Sequence, residues 1–281
     1  MVSFDYERPV TLKEAMLAAS REGAHPLAGG TDLLVKVRRE TVSPKLLVDL
    51  KHIPELHGIT QDEPTFIGAT TTLNQIADSP TVLERFPVLA KAAHSVGSRQ
   101  VRNRATIGGN VANASPAADT VPALMVLDAQ VVLAGPGGDT TVPVCSFFTG
   151  PGKTVMRHGE IIRGFLIPEV KGTFSFDKVS RRNAVDLATA SVVVFGFVEG
   201  GDVHLRMAAG AVAPTPLRLF DAERVFDEGG PDALVEVLDA ADAAISPIDD
   251  IRGTAAFRRK VVRVLLRRGI QTVLSSLGGD A

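Results

Sequence analysis

Thr106-Ile107-Gly108-Gly109-Asn110-Val111-Ala112-Asn113-Ala114-Ser115-Pro116-Ala117-Ala118-Asp119 is the stretch whose reading decides the fold. Its fourteen residues hold adjacent glycines, two asparagines, a Ser-Pro step and an aspartate, with no aromatic and one charge. That composition does not build a core strand. Small side chains and paired glycines let a backbone approach something closely, and free N–H groups in such a turn suit an anion. A second Gly-Gly pair lies upstream in Leu27-Ala28-Gly29-Gly30-Thr31-Asp32-Leu33-Leu34. The two turns are expected to hold the two ends of one phosphate-bearing cofactor.

The flanks of both pairs read as α/β structure. Thr11 and Glu14 form a capping-box signature for a helix that Gly23 stops, and Pro26–Ala28 is a short strand. Thr31 or Asp32 can cap a helix carrying Leu33, Leu34, Val37 and Arg38, so Gly29-Gly30 sits where helix N–H groups favour a phosphate. Lys45–Leu50 is the next strand. A second segment opens with the strand Thr65–Ala69, a helix Leu73–Ala77 capped by Thr71 or Thr72, and a longer helix over 82–96 ending at Gly97. After the glycine stretch come a helix near Thr120–Leu127 and strands over 129–134, 140–144 and 160–167. Pro168–Gly172 is linker-like. Beyond it, 174–179, 191–199, 203–209 and 210–212 read as strands of a meander. Helices over 216–226, 231–243 and 254–277 close the chain. The resulting division is 1–58, 59–170 and 173–281.

Bulk properties narrow the function. The chain has 281 residues, 45% hydrophobic, with a formal net charge of −2, so there is no general pull toward nucleic acid or an anionic membrane. Cys145 is the single cysteine, which removes any cysteine-ligated iron–sulfur cluster from this chain, and the six histidines contain no tight metal-ligand pair. The N-terminal MVSFDYERPVTLKEA has early acidic residues and no apolar segment, unlike a signal peptide. The longest apolar run, 191–198, falls well short of the roughly twenty residues that span a bilayer. A cytoplasmic protein without membrane insertion is expected.

Two familiar phosphate motifs fail. No GxGxxG is present, and Gly152-Lys153-Thr154 lacks the upstream glycine of a P-loop because Phe147 stands there. Each glycine pair alone reads as an ordinary tight turn. Together, each beside a strand and each with Thr, Asp or Asn close by, they favour cofactor binding. The run Ser98-Arg99-Gln100-Val101-Arg102-Asn103-Arg104 can neutralise a diphosphate, dock a subunit, or simply form a solvated edge. The arginines at 258, 259, 263, 267 and 268 read as a solvated or partner-facing surface of the last helix. No Ser–His–Asp or Cys–His set points to a hydrolase, and no catalytic residue is assigned.

The Ala28-Gly29-Gly30-Thr31-Asp32 and Thr106-Ile107-Gly108-Gly109-Asn110 segments, with Ser115-Pro116 and Asp119, resemble the FAD-binding medium subunit of molybdenum hydroxylases. This is the xanthine dehydrogenase and aerobic carbon monoxide dehydrogenase family. Further segments carry the likeness across nearly the whole chain: Phe147–Gly150 through Thr154 to Glu160–Ile162 and Pro168, Lys178–Arg182 with Asp186–Ala188, Gly210–Arg218, and Asp249–Gly253.

The resemblance implies an α+β fold: a two-part α/β FAD-binding domain of the vanillyl-alcohol-oxidase/PCMH type, then a C-terminal domain of antiparallel sheet with helices. It implies that residues 28–32 (Ala28, Gly29, Gly30, Thr31, Asp32) and 106–110 (Thr106, Ile107, Gly108, Gly109, Asn110) wrap the pyrophosphate and ribityl chain through backbone N–H groups. Leu27, Val96 and Ile162 match cofactor-lining positions, Asp119 a polar contact, and Lys178 a lysine near the flavin, where a cation favours the anionic reduced form. Implied partners are a large molybdopterin subunit and a small subunit with two 2Fe–2S clusters, in a dimer of heterotrimers. Electrons would pass from the clusters to FAD and on to a quinone, NAD or oxygen. Pro151 stands where the animal xanthine dehydrogenase type has a tyrosine associated with NAD. A carbon monoxide dehydrogenase medium subunit, or a free-standing flavin reductase on the same fold, is the alternative.

Overall fold

The computed structural model describes residues 3–182 and 185–278. The chain begins with β1 (Asp5–Glu7), α1 (Leu12–Ala19), β2 (Ala24–Leu27), α2 (Leu33–Arg38) and β3 (Leu46–Asp49). The capping box is present: Glu14 N–H donates to Thr11 Oγ1 at 3.2 Å, and Glu14 accepts back from Thr11 N–H. The strands form a parallel sheet in the order β1-β3-β2, and Ala15, Ala18 and Ala19 of α1 pack on Leu46, Val48 and Leu50. Helix α1 ends at Ala19, four residues before the expected stop; Gly23 instead turns the chain into β2 with φ +76°.

The next elements are β4 (Thr65–Gly68), α3 (Leu73–Asp78), α4 (Pro80–Arg85), α5 (Pro87–His94), α6 (Arg99–Arg102), α7 (Ile107–Ala112) and α8 (Thr120–Val126). Thr72 and Gln75 make a second capping box at α3. The single helix expected over 82–96 is two helices. Pro87 has no N–H to donate and pushes Phe86 off helical geometry, to φ −136° and ψ 54°, so the chain breaks and restarts. Strands β5 (Gln130–Gly135) and β6 (Gly138–Pro143) form a hairpin. They are followed by a small pair, β7 (Phe148–Gly150) and β8 (Lys153–Thr154), and then β9 (Ile161–Ile167). The antiparallel sheet β4-β9-β5-β6 packs with α3, α5 and α8; every residue of α8 is buried.

The last third contains β10 (Thr173–Val179), β11 (Ala190–Glu199), β12 (Asp202–Gly210) and β13 (Leu217–Arg218), an antiparallel sheet in that order. Helices α9 (Phe220–Gly229), α10 (Leu234–Ala244) and α11 (Ala255–Gly278) cover one face. Side chains alternate across a strand. Val193, Phe195 and Phe197 join the core of α5 and α8, while Val192 and Val194 join that of α9–α11. Burial on both faces explains the unbroken apolar run of β11.

Residues 210–212 do not form the separate strand expected there: β12 runs through Gly210, and Ala211 turns with φ +62°. The helix expected from residue 216 starts at Phe220 instead, because Leu217 and Arg218 pair with β12. Arg218 spans the junction with the central helix, donating to Met125 O and Asp128 Oδ1, both at 2.7 Å. Arg258 departs from the surface expected of the last-helix arginines. It is buried, bonded to Ala211 O at 2.8 Å and Asp250 Oδ1 at 2.5 Å. Among the described residues, no helix is long and apolar enough to cross a membrane.

Candidate functional site

Residues from both glycine segments line one cavity of about 890 Å³, within the range of small-molecule and cofactor pockets. The β2–α2 loop supplies Leu27, Ala28, Gly29, Gly30, Thr31 and Asp32, and the α7 region supplies Thr106, Gly108, Gly109 and Asn110. Val96, Asp119 and Ile162 complete the expected residues on its wall. Two expected residues are not on that wall. Ile107 points into the core with no exposure, where helical geometry turns it away from the glycine face. Lys178 lies behind Asp119, donating to its Oδ2 at 2.6 Å and to Ser95 O at 3.3 Å.

The two glycine pairs are built differently. Gly30 adopts φ +75°, a conformation that glycine takes without strain. Among the described residues, the N–H groups of Gly29, Gly30, Thr31, Asp32 and Leu33 donate to no protein acceptor. Asp32 is the residue before α2, but its side chain makes no capping bond. Five amides along one loop of the cavity therefore remain available for a ligand.

Gly108-Gly109 is the first turn of a helix and not a free turn. Thr106 caps α7 by accepting from Gly109 N–H at 3.1 Å. Ile107 N–H donates to Thr71 O, Gly108 N–H to Ala69 O, and Asn110 N–H to Thr106 O. The expectation that the amides of 106–110 wrap the cofactor is corrected here for 107–110, because protein acceptors already satisfy all four. What α7 offers is closeness. A Cβ on Gly108 would lie 2.6 Å from the Ala69 Cβ, whereas one on Gly109 would meet only Thr106 Oγ1, at 3.0 Å. Gly29 also packs two segments: a Cβ there would sit 1.9 Å from the backbone oxygen of Arg104.

Each segment is backed by a lysine–carboxylate pair. Lys51 donates to Asp49 Oδ1 at 2.6 Å and to Ala28 O at 3.3 Å, and Tyr6 also hydrogen-bonds Asp49. Burial pushes the Asp49 carboxyl up, but these bonds outweigh it and hold it below its ordinary value. At the other segment, the side chains of Asp119 and Lys178 are only 5% and 12% exposed. Burial there raises the Asp119 carboxyl above its ordinary value despite Lys178. Asp119 Oδ1 is buried without a partner among the described residues, as the acceptor for a ligand donor would be.

Residues 2–170 match the family described as the FAD binding domain in molybdopterin dehydrogenase, and residues 175–273 match the CO dehydrogenase flavoprotein C-terminal domain. The chain belongs to this flavoprotein family. The flavoprotein is 36% identical to the carbon monoxide dehydrogenase medium chain of Hydrogenophaga pseudoflava, over 95% of this chain and 96% of that one. It is 31% identical to the xanthine dehydrogenase FAD-binding subunit of Escherichia coli O157:H7, over 98% and 97%. Its fold matches a solved carbon monoxide dehydrogenase chain from Hydrogenophaga pseudoflava with a TM-score of 0.91, at 34% identity and 97% coverage of both chains. Quinoline 2-oxidoreductase of Pseudomonas putida 86 follows at 0.90, with 27% identity and 98% coverage of both. The expected α+β fold and family are thus both met.

The flavoprotein's cavity also takes in residues that sequence reasoning missed. Lys36 reaches from α2 to Asn113 Oδ1 at 2.7 Å, and Glu160, Arg182, Val185 and Leu187 line the wall. Lys36 falls on the helix predicted after Gly30, but nothing in its spacing marks it as cavity-facing. Glu160, Arg182 and Leu187 belong to quoted family segments, and that was the available signal.

Proposed function

We propose that this chain is the FAD-carrying electron-transfer subunit of a heteromeric molybdenum hydroxylase. The observation that carries the reading is the cavity between the two glycine segments, with five acceptor-free amides on one wall. The amides of Gly29–Leu33 would hold the pyrophosphate. The bare surface of Gly109 would let the cofactor lie against α7, with Thr106 and Asn110 beside it. Leu27, Val96 and Ile162 would give it apolar contact, and Asp119 Oδ1 would accept a hydrogen bond from it. Lys178 would act through Asp119, fixing that carboxylate from behind. Bound FAD would supply a carrier able to take electrons from iron–sulfur clusters and pass them to an external acceptor.

The single cysteine is consistent with the two 2Fe–2S clusters and the molybdenum cofactor sitting on small and large partner subunits. A dimer of heterotrimers in the cytoplasm is the assembly we infer, with the chain divided at 1–58, 59–170 and 173–281. Purified protein should show a flavin absorption spectrum and release FAD, not FMN, on denaturation. A colourless chain that takes up no added FAD, alone or with its co-purifying subunits, would overturn the reading.

A further inference from the structure

Asp49 is a buried carboxylate, 1% exposed, that takes no place on the wall of the cofactor cavity. Its position follows from the parallel sheet. Leu27 pairs with Asp49 in register, and the Leu50 N–H donates to Leu27 O at 3.0 Å, so the chain leaving β3 runs beside the Ala28-Gly29 loop. From the other side of β3, the Tyr6 hydroxyl of β1 donates to Asp49 Oδ2. Asp49 Oδ1 accepts from the Lys51 backbone N–H at 3.1 Å and from the Lys51 ammonium at 2.6 Å. Held in this way, the ammonium also donates to Ala28 O at 3.3 Å.

The Ala28 carbonyl and the Gly29 N–H belong to one peptide unit. That unit is trans and planar, so the two groups point in opposite directions. Gly29 lines the cavity and Lys51 does not. With its oxygen on Lys51, the peptide turns the acceptor-free Gly29 N–H away from the lysine and toward the cavity. The Gly29 Cα is held as well, packed against the backbone oxygen of Arg104. A cation on a peptide oxygen also polarises the N–H of the same unit, which strengthens the bond that N–H makes to an anion. The chain of bonds from Tyr6 through Asp49 and Lys51 to Ala28 O thus crosses all three strands of the first sheet and ends at the first of the five free amides.

We propose that Lys51 is a positioning residue for the cofactor's diphosphate, acting through the Ala28–Gly29 peptide without touching the ligand, and that it makes the cavity selective for a phosphate-bearing flavin. The inference rests on the reading of this cavity as an FAD site. Asp49, oriented by Tyr6, keeps the ammonium in place.

The test compares FAD with riboflavin, which has the same ring and ribityl chain but no phosphate, by fluorescence titration of the full-length apoprotein. ADP, which carries the diphosphate without the flavin, is titrated against adenosine by calorimetry, and thermal unfolding is followed for every protein. Lys51→Met should weaken FAD and ADP at least about fivefold, and should lower the FAD-to-riboflavin and ADP-to-adenosine affinity ratios by a similar factor. Lys51→Arg, which keeps the charge, should restore most of both ratios. If Lys51→Met fails to fold, Lys51→Gln keeps a donor for Asp49 without the charge and should lower the ratios in the same direction. Equal weakening of phosphate-bearing and phosphate-free ligands, in step with lost stability, would mean that Lys51 only packs the loop, and would overturn the proposal. So would a Lys51→Met protein that keeps wild-type affinity for FAD and ADP. Wild type that binds neither ligand would instead remove the FAD reading itself, and this proposal with it.

Discussion

At Gly29-Gly30, five consecutive amides from Gly29 to Leu33 have no acceptor among the described residues, while at Gly108-Gly109 the four from Ile107 to Asn110 all have one. Gly29-Gly30 follows β2 and Gly108-Gly109 lies between α6 and α8, but both carry nearby Thr, Asp or Asn and both face the same cavity. The first is a loop whose donors are exposed to a ligand, and Gly30 makes it possible by adopting φ +75°. The second is a capped helical turn whose donors are closed, and its contribution is a surface without side chains. A glycine pair with Thr, Asp or Asn close by thus indicates an approach of backbone to ligand, but not which backbone atoms do the binding.

The largest effect is expected from Gly29→Val. Its Cβ would overlap the Arg104 backbone, which has no flexible end to move aside, and the contact joins the two segments. Loss of more than about 3 kcal/mol in denaturant unfolding is expected, together with loss of flavin. A folded Gly29→Val protein of near wild-type stability would remove the packing half of the comparison.

The lysine–carboxylate pairs behind the two segments give the next pair of effects, and they respond to pH in different ways. Lys178→Met leaves Asp119 buried and unpaired, which should cost about 3–5 kcal/mol at neutral pH. Burial has already raised the Asp119 carboxyl above 3.8, so its penalty is absent below that value and grows as pH rises through the folded-state value. The variant should therefore regain stability on acidification. Asp49 is the reverse. Its carboxyl is held below 3.8, so its contribution is present above that value and lost as pH falls through the lower folded-state value. Asp49→Asn should cost about 1–3 kcal/mol at neutral pH. Its deficit should close in acid because the wild type weakens, not because the variant recovers. Stability curves from about pH 2 to pH 7 distinguish the two; a Lys178→Met curve parallel to wild type would refute the buried-charge account.

What was legible in the sequence was mostly local. Thr11 with Glu14 marks a helix start because the cap bonds span only three residues, and of the two candidate caps Thr71 and Thr72 the structure selects Thr72, with Gln75 as its partner. The unbroken apolar run at 191–198 marked a strand, but the structure shows why it is unbroken: one face meets α8 and the other meets α11. The helical state of 107–112 was not legible. Two glycines disfavour a helix by about 1 kcal/mol each, and it forms because Thr106 caps it and Ile107 and Val111 are buried. Lys178 was placed near the flavin, yet only the fold shows that Asp119 stands between it and the cavity. Arg258 was likewise illegible, since a buried arginine and a surface arginine look the same on a helical wheel.

Gly109→Ala has the smallest expected effect on stability and bears most directly on the comparison. Alanine is worth about 1 kcal/mol over glycine within a helix, and the added methyl meets only Thr106 Oγ1, at 3.0 Å. These terms oppose one another, so unfolding should shift by less than about 1 kcal/mol. The methyl would nonetheless project from the bare face of α7 into the space we assign to the cofactor. FAD affinity should fall by at least about tenfold, equivalent to 1.4 kcal/mol, measured by flavin fluorescence titration of the apoprotein. Gly30→Ala should likewise weaken FAD binding but also destabilise the protein, by about 1–2 kcal/mol, because alanine is strained at positive φ. If Gly109→Ala kept full affinity, α7 would be scaffold alone and the ligand would be held from the Gly29–Leu33 side. If it lost stability as Gly30→Ala does, the division between a binding loop and a bare helical surface would fail.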